Sequence, residues 1–436
     1  MKKFAIILLI LCLVAVAVIG SLTAQKSNPA QTAADSGVAL TQSGSGVVDG
    51  PDGIVVTGGE YQSPDADAVT AAEPQEAETE AKNDSGRLDY DTLYALHDKE
   101  EKVLRIGEKE ERWGDFFYVL FSQCSQIENY FDSMAAYYGM QFHWDDPIEE
   151  DTDETFAETA TETAESLMVQ LAALEKFAED HDITLGEEEM AAVEEQKKED
   201  RVNALGEDAT EEEFRETLQK VYLSDEMYDR IVKQNVLYQE CFNQLYGKNA
   251  EKLSDEEALQ YLEDNGYLSA AHILFRNTDP ETGEKLDEEA LAAKKAELEA
   301  VLAEMRAIED EKERATAFLK KVQEISEDSG SVYYPEGYTF TEGRMVPEFE
   351  NAAKELEEFA VSDVVETAYG YHILLRLPLK ADAIVEYSSN TGDVRTARML
   401  AANELYGKQL QETAEALELS WLDGAEAPNL LDFVKP

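Results

Sequence analysis

The sequence predicts an α+β unit inserted into an α-helical body, and three observations lead to it. Two short β-like segments, residues 269–275 and 371–377, bracket two helical stretches inside the interval 268–380. Residues 86–267 carry helical spacing and helix-start signals. Residues 381–436 return to that helical texture once the β segments have ended. Strand, helices and closing strand read as a compact α+β fold, and like texture on both sides reads as one helical body interrupted by an insertion. At 436 residues the chain has room for two or three units of roughly 150 residues each.

Taken in order, the chain begins with Lys2 and Lys3 before an unbroken apolar run from Phe4 to Ile19 that continues weakly to Ala24. Residues 1–24 are therefore a signal peptide or an N-terminal membrane anchor, since counting to Ala24 reaches the roughly 20 residues a bilayer span needs. Either way, positive charge ahead of the run keeps the N-terminus inside and exports the rest of the chain. Cys12 follows Leu11 in mid-run, not a small residue at the run's end, so it reads as buried filler and not as a lipoprotein cleavage site. Residues 25–85 are rich in Ala, Ser, Thr, Gly, Asp and Glu, with Tyr61 as their single aromatic. Such a stretch cannot bury enough apolar area to offset backbone ordering entropy, which predicts a disordered acidic linker.

Across 86–267 the helix starts are marked by Thr210 with Glu213 and Ser254 with Glu257, each a capping box. Trp113, Phe116, Phe117, Tyr118 and Phe121 form a dense aromatic face, and Ile231, Val232, Leu237, Tyr238, Phe242 and Leu245 recur at helical spacing. Both stripes are expected in the core; a groove for client proteins is the other reading of the aromatic one. The acidic, Thr-rich run 145–165 reads as a loop and a solvated helix start, without the loop geometry of a calcium site. Cys124 and Cys241 can pair in an oxidising compartment or stay as two buried thiols.

Within the α+β unit the predicted helices are 287–308, 312–325 and 346–356, with a Gly/Tyr/Pro-rich segment at 329–343. After it, a helix is expected at 393–417, then a docking tail carrying Trp421, Leu430, Leu431 and Phe433.

Charge and missing motifs remove several function classes. With 94 Asp+Glu against 37 Lys+Arg the formal charge is −57, which repels phosphate backbones and excludes nucleic acid as a main partner. There is no phosphate-binding Gly loop, no H-E-x-x-H, no nucleophile elbow and no paired Cys at zinc spacing, so neither a metal nor a cofactor is expected. An acidic scaffold that binds cations is a reading that rests on charge alone.

The histidines say more. Two of the five open the two β segments, in Ala271-His-Ile-Leu-Phe275 and Gly370-Tyr-His-Ile-Leu374. Alternation along a strand lets each imidazole point away from its apolar neighbours, and adjacent strands would bring the two together. Spacing alone allows core histidines bonded to each other or a functional pair. Between them stand Ile325-Ser-Glu-Asp-Ser329, Gly343-Arg-Met-Val-Pro-Glu-Phe-Glu350 and Val361-Ser-Asp-Val-Val-Glu-Thr367. These five motifs, in this order and spacing, resemble the parvulin-type (PpiC/rotamase) peptidyl-prolyl isomerase domain. With the helical parts around it, the chain resembles exported PrsA/SurA-like foldases.

That resemblance implies cis–trans isomerisation of X–Pro bonds in unfolded exported proteins, with chaperone activity from the helical lobe; a catalytically weak or inactive chaperone of the same build is the alternative. It implies Met345 and Phe349, read as one helical turn apart, as the proline pocket. His272 and His372 become the paired floor histidines, with Thr367 beside them and Asp328 at the family's Cys-or-Asp position. Tyr369 joins the substrate-binding wall where a small residue often sits. The family's Gly-Gly-Asp-Leu-Gly segment is replaced by Tyr333-Tyr-Pro-Glu-Gly-Tyr338, with Gly337 where a pocket Leu is expected. Arg276 is accompanied by Asp279, Glu281 and Glu284, unlike the basic cluster that selects phosphorylated substrates. A homodimer through the helical lobe is possible; no residue argues for it.

Overall fold

The structure is a computed structural model that describes residues 86–139, 141–149, 152–280, 282–388 and 392–435. The N-terminal segment 1–24 and the linker 25–85 lie outside the described residues. Those residues divide into two compact units, one of 86–245 with 406–435 and one of 246–405.

The first unit is helical around a small sheet. Its elements are α1 (Tyr90–Tyr94), β1 (Lys102–Ile106), β2 (Lys109–Arg112), α2 (Trp113–Tyr138), α3 (Phe156–Asp180), α4 (Glu187–Leu205), α5 (Glu211–Gln219) and α6 (Asp225–Tyr246). The end of α11 (Ala397–Glu415), then β9 (Leu419–Trp421) and a 3-10 turn (Leu430–Phe433), complete it. The β1–β2 hairpin corrects the expectation of helix throughout: Val103, Leu104 and Ile106 are buried, and Gly107 makes the turn. β9 adds a third antiparallel strand, giving the order β2-β1-β9. Trp113, Phe116, Phe117 and Tyr118 are fully buried core and Phe121 packs against them, so they do not form a client groove.

The predicted capping box of α5 is present, and α3 has one at Thr155 and Glu158 inside the acidic run. Within that run, Ala157, Ala160, Thr161 and Ala164 are buried, so this start of α3 is amphipathic and not wholly solvated. In the tail, Leu430 is buried and Trp421 and Phe433 pack on the core, but Leu431 is 42% exposed and does not dock. Cys124 and Cys241 are buried free thiols. Among the described residues no helix is long and apolar enough to cross a membrane.

The second unit runs α7 (Asp255–Asp264), β3 (Leu268–Arg276), α8 (Glu288–Arg306), α9 (Glu311–Ile325), β4 (Tyr338–Phe340), α10 (Pro347–Glu355), β5 (Val365–Thr367), β6 (Gly370–Leu377), β7 (Ile384–Tyr387) and β8 (Val394–Thr396), and it includes the start of α11. Its antiparallel sheet has the order β4-β3-β6-β5. α8 and α9 start at Asp287 and Asp310, whose carboxylates accept backbone N–H groups as N-caps. Those helices cover one face, burying Ala271, Ile273, Ile373 and Leu375 against Leu298, Met305 and Phe318. α10 covers the other with Phe349 and Ala353 against Ala270, Tyr338, Phe340 and Leu374. Two predictions change here. The segment 329–343 holds a 3-10 turn (Ser329–Val332) and β4, and the expected helix 393–417 begins only after a β7–β8 hairpin.

One buried charge network organises the first unit. Arg230 of α6 donates to both oxygens of Glu111 on β2 at 2.8 and 3.0 Å and to Glu175 of α3 at 2.7 Å. Glu111 is buried, so removing its partner leaves a desolvated charge uncompensated. Arg230→Ala is expected to destabilise this unit by about 3 kcal/mol, measured by urea unfolding. A loss under about 1 kcal/mol would mean that solvent already screens the pair.

Candidate active site

The site is assembled by the register of β3 on β6. His272 lies opposite Leu374 and His372 opposite Leu274, so the two histidines are diagonal neighbours on one face. Their Nδ1 atoms are 3.0 Å apart and their ring planes differ by 16°. From His272 Nε2 the chain of contacts runs 2.8 Å to Asp328 Oδ2; from His372 Nε2 it runs 2.9 Å to Thr367 Oγ1. Thr367 ends β5, and Asp328 is the N-cap of the 3-10 turn after α9. Thus four residues from four elements form one hydrogen-bonded line. All are buried: His372 3% exposed, Asp328 5%, His272 6% and Thr367 8%.

Met345 and Phe349 join the same apolar cluster, Phe349 buried and Met345 partly so. Phe349 stands edge-on to His272, 5.2 Å between ring centres. Met345 is not on the helix, however. Pro347 occupies the first turn of α10 and Val346 is its N-cap, so the helix starts after Met345. The backbone at Met345 is held instead by Glu350, whose Oε1 accepts the N–H groups of Arg344 and Met345, both at 2.9 Å. Tyr369 is partly buried, and its backbone N–H donates to Thr367 Oγ1 at 3.1 Å.

Sequence reasoning misses two members. Glu350 ends the motif 343–350, and its role shows only once α10 folds it back on its own N-terminal turn. Tyr338 belongs to the stretch that departs from the family pattern. Its hydroxyl donates to Asp328 Oδ2 at 2.7 Å, and its ring, with Tyr334 4.7 Å away, lines the wall where Gly337 replaces a Leu.

The electrostatics fix the charge of two members of the line. Burial and the nearby His272 push the His372 imidazole down to about 3, so it is neutral. Burial favours the neutral carboxyl of Asp328, but the hydrogen bond and charge of His272 and the Tyr338 hydroxyl outweigh it and hold Asp328 at about 2. With Asp328 ionised, His272 keeps a hydrogen on Nε2 and donates it to the carboxylate. The line continues through the contact of His272 Nδ1 with His372 Nδ1 and that of His372 Nε2 with the Thr367 hydroxyl. All four imidazole nitrogens are engaged within the line, so none is free for covalent attack. Among the described residues no cluster of three His, Cys, Asp or Glu could hold a metal.

Residues 272–377, within the second unit, match the family described as "Rotamase: PPIC-type PPIASE domain" and form a parvulin-type domain. The particular relatives are foldases. The chain is 24% identical over 221 residues to "Foldase protein PrsA" of Clostridium botulinum (strain 657 / Type Ba4), covering 48% of this chain and 58% of that protein, less than two thirds of its length. It is also 24% identical over 264 residues to "Foldase protein PrsA" of Oceanobacillus iheyensis, covering 60% and 74%. The crystal structure of PrsA from Bacillus subtilis is 20% identical, covers 61% of this chain and 88% of its own, and has a TM-score of 0.23, too low to speak for the arrangement of the whole chain.

Keeping His372 neutral is a stability statement with a definite sign. Its folded value lies below the ordinary 6.5, so the unfolded chain takes the proton first on acidification. The contribution is whole above pH 6.5 and is lost as the pH falls toward 3. Asp328 adds a second loss in the same direction, between 3.8 and 2. Urea unfolding of wild type and His372→Gln is therefore expected to diverge, the wild type losing up to about 1.4 kcal/mol more per pH unit between pH 6 and 4. Parallel curves would mean that His372 titrates as it does when unfolded.

Proposed function

We propose that this chain is an exported foldase whose α+β unit isomerises X–Pro peptide bonds in unfolded client proteins. The observation that carries the reading is the Thr367–His372–His272–Asp328 line with the Phe349 ring edge-on to both imidazoles, in the apolar cluster that Met345 joins. Export is supported by Lys2, Lys3 and the apolar run after them, which would tether the protein to the outer face of the membrane or be removed on secretion. The name of its relatives supports a folding role, and its charge of −57 favours basic clients.

An X–Pro bond resists rotation because amide resonance keeps it planar, at about 18–20 kcal/mol. The enzyme has only to bind the twisted amide better than either planar form. Met345 and Phe349 supply an apolar seat for the proline ring. Beside that seat the carbonyl loses the water that favours its charge-separated planar form. The hydrogen-bonded line acts by fixed polarity, not by attack, since all four of its imidazole nitrogens are already engaged.

A second reading is favoured by the burial of the floor, where the exposures of His372, Asp328 and His272 are 3–6%: a chaperone of the same build whose isomerase site is closed. An exchange or protease-coupled assay on unphosphorylated X–Pro peptides separates the two. Wild type is expected to accelerate isomerisation, and a His272→Ala, Met345→Ala double variant to lose about tenfold or more of kcat/KM. Wild-type rates equal to buffer, from a protein that melts cooperatively and suppresses client aggregation, would leave the chaperone as the reading.

A further inference from the structure

We infer that the β7–β8 hairpin extends the client-binding face of this site: Val332, Tyr333, Tyr387 and Val394 form an exposed apolar ledge that seats an aromatic or aliphatic client residue close to the proline. The inference rests on the isomerase reading for the place of the proline, and it names the side chain that the same client presents beside it.

The hairpin lies beyond residues 272–377, the part that matches the family, yet it touches the stretch where the site departs from the family pattern. The Tyr387 ring of β7 stacks on Tyr333, with 4.4 Å between ring centres and planes 21° apart. Tyr334, the next residue, is 4.7 Å from Tyr338 and packs in the cluster that holds Phe349 and Met345. A run of aromatic and apolar side chains therefore leads from the proline seat through Tyr338 and Tyr334 to the stacked pair.

Two facts set this pair apart from core packing. No residue of β7 or β8 is fully buried, so the hairpin does not close a core. Of the five large hydrophobic side chains exposed among the described residues, the two in this unit flank the pair. Val332, 69% exposed, directly precedes Tyr333, and Val394, 41% exposed, is the cross-strand partner of Tyr387. Apolar area held in water beside a site is relieved when a bound side chain covers it. The charges nearby favour an apolar occupant over a charged one. Glu386 of β7 is paired with Arg395 of β8 at 2.9 Å, and Glu336, in the same wall, with Lys380 at 2.6 Å. In a chain of −57 these two carboxylates are matched by cations, which leaves an apolar centre within a polar rim, the build of a binding patch.

Val332→Ser combined with Val394→Ser removes apolar area from the ledge at two exposed positions and leaves the core untouched. The test measures, by fluorescence anisotropy with the full chain, the binding of unphosphorylated peptides that hold one proline. Each peptide carries Phe, Leu or Ala at one of the three positions on either side of it. In wild type at least one flanking position is expected to bind Phe or Leu about fivefold or more tighter than Ala. The double variant should cut that preference below about twofold, and Tyr387→Ala should do the same. Wild type without such a preference at any position, or a preference that survives in the double variant, would overturn the inference. Should Tyr387→Ala fail to fold, the double variant decides. A second copy of this chain is the competing occupant: a wild type that sediments as a dimer, becomes monomeric in the double variant and shows no peptide preference would overturn the inference in its favour. Binding is read without turnover, so a wild type that shows the preference but does not isomerise sinks the isomerase reading alone, and one that isomerises without the preference sinks the ledge alone.

Discussion

The antiparallel pairing of β3 with β6 is the constraint on which the α+β unit depends. Eight residue pairs, from Ser269 with Leu377 to Arg276 with Gly370, fix which side chains share a face. The two imidazoles meet only because 272 and 372 are diagonal in that register. A slip of one residue would turn His372 into the layer occupied by Leu298 and Phe318 and bring an aliphatic side chain to the site. Burial on both faces opposes such a slip, since each strand is filled with apolar residues matched to a different helical layer. The geometry of the floor is in this sense a by-product of packing the sheet.

Charge is used differently outside and inside. The chain carries −57 overall, yet the floor holds a single carboxylate, set between His272 and Tyr338. Its three donors come from three segments, so protonation there is decided by how those segments fold together. The same device recurs elsewhere. Arg230 joins β2, α3 and α6, and the buried Arg398 at the start of α11 binds Asp382, Asp255 and the carbonyl oxygen of Leu253. In an acidic protein the few buried cations act as cross-links, because each has several carboxylates within reach.

Much of this is legible in the sequence, and the remainder is hidden for physical reasons. β3 and β6 can be read because each carries an apolar run that follows a histidine. The helices α8, α9 and α10 fall within two residues of expectation because their periodicity and N-terminal signals agree. β4, β5, β8 and β9 have three residues each, too few to display a period. β1 and β2 are joined by a turn at Gly107 amid helical texture, and β9 is paired from more than three hundred residues away. The capping box at Thr155 is present in the letters but hidden by the acidity around it. Met345 misleads because a spacing of four suggests a helical turn, whereas Pro347 sets the start of α10 beyond it. Tyr338 is legible only as something missing, a Leu not there, and its hydroxyl gains meaning once Asp328 is folded opposite.

The strand β9 closes the first unit from the far end of the chain, and the main chain of Arg87 and Asp89 is bonded to that of Lys435 and Phe433. For a polypeptide delivered N-terminus first, this sets a timetable. All four strands of the histidine-bearing sheet have emerged by residue 377, while β1 still waits for Trp421, whose ring packs edge-on against Phe116. The aromatic core of the helical unit is therefore synthesised early and roofed late. During that interval the protein is itself a half-folded chain with exposed rings, subject to the hazard that its proposed clients present.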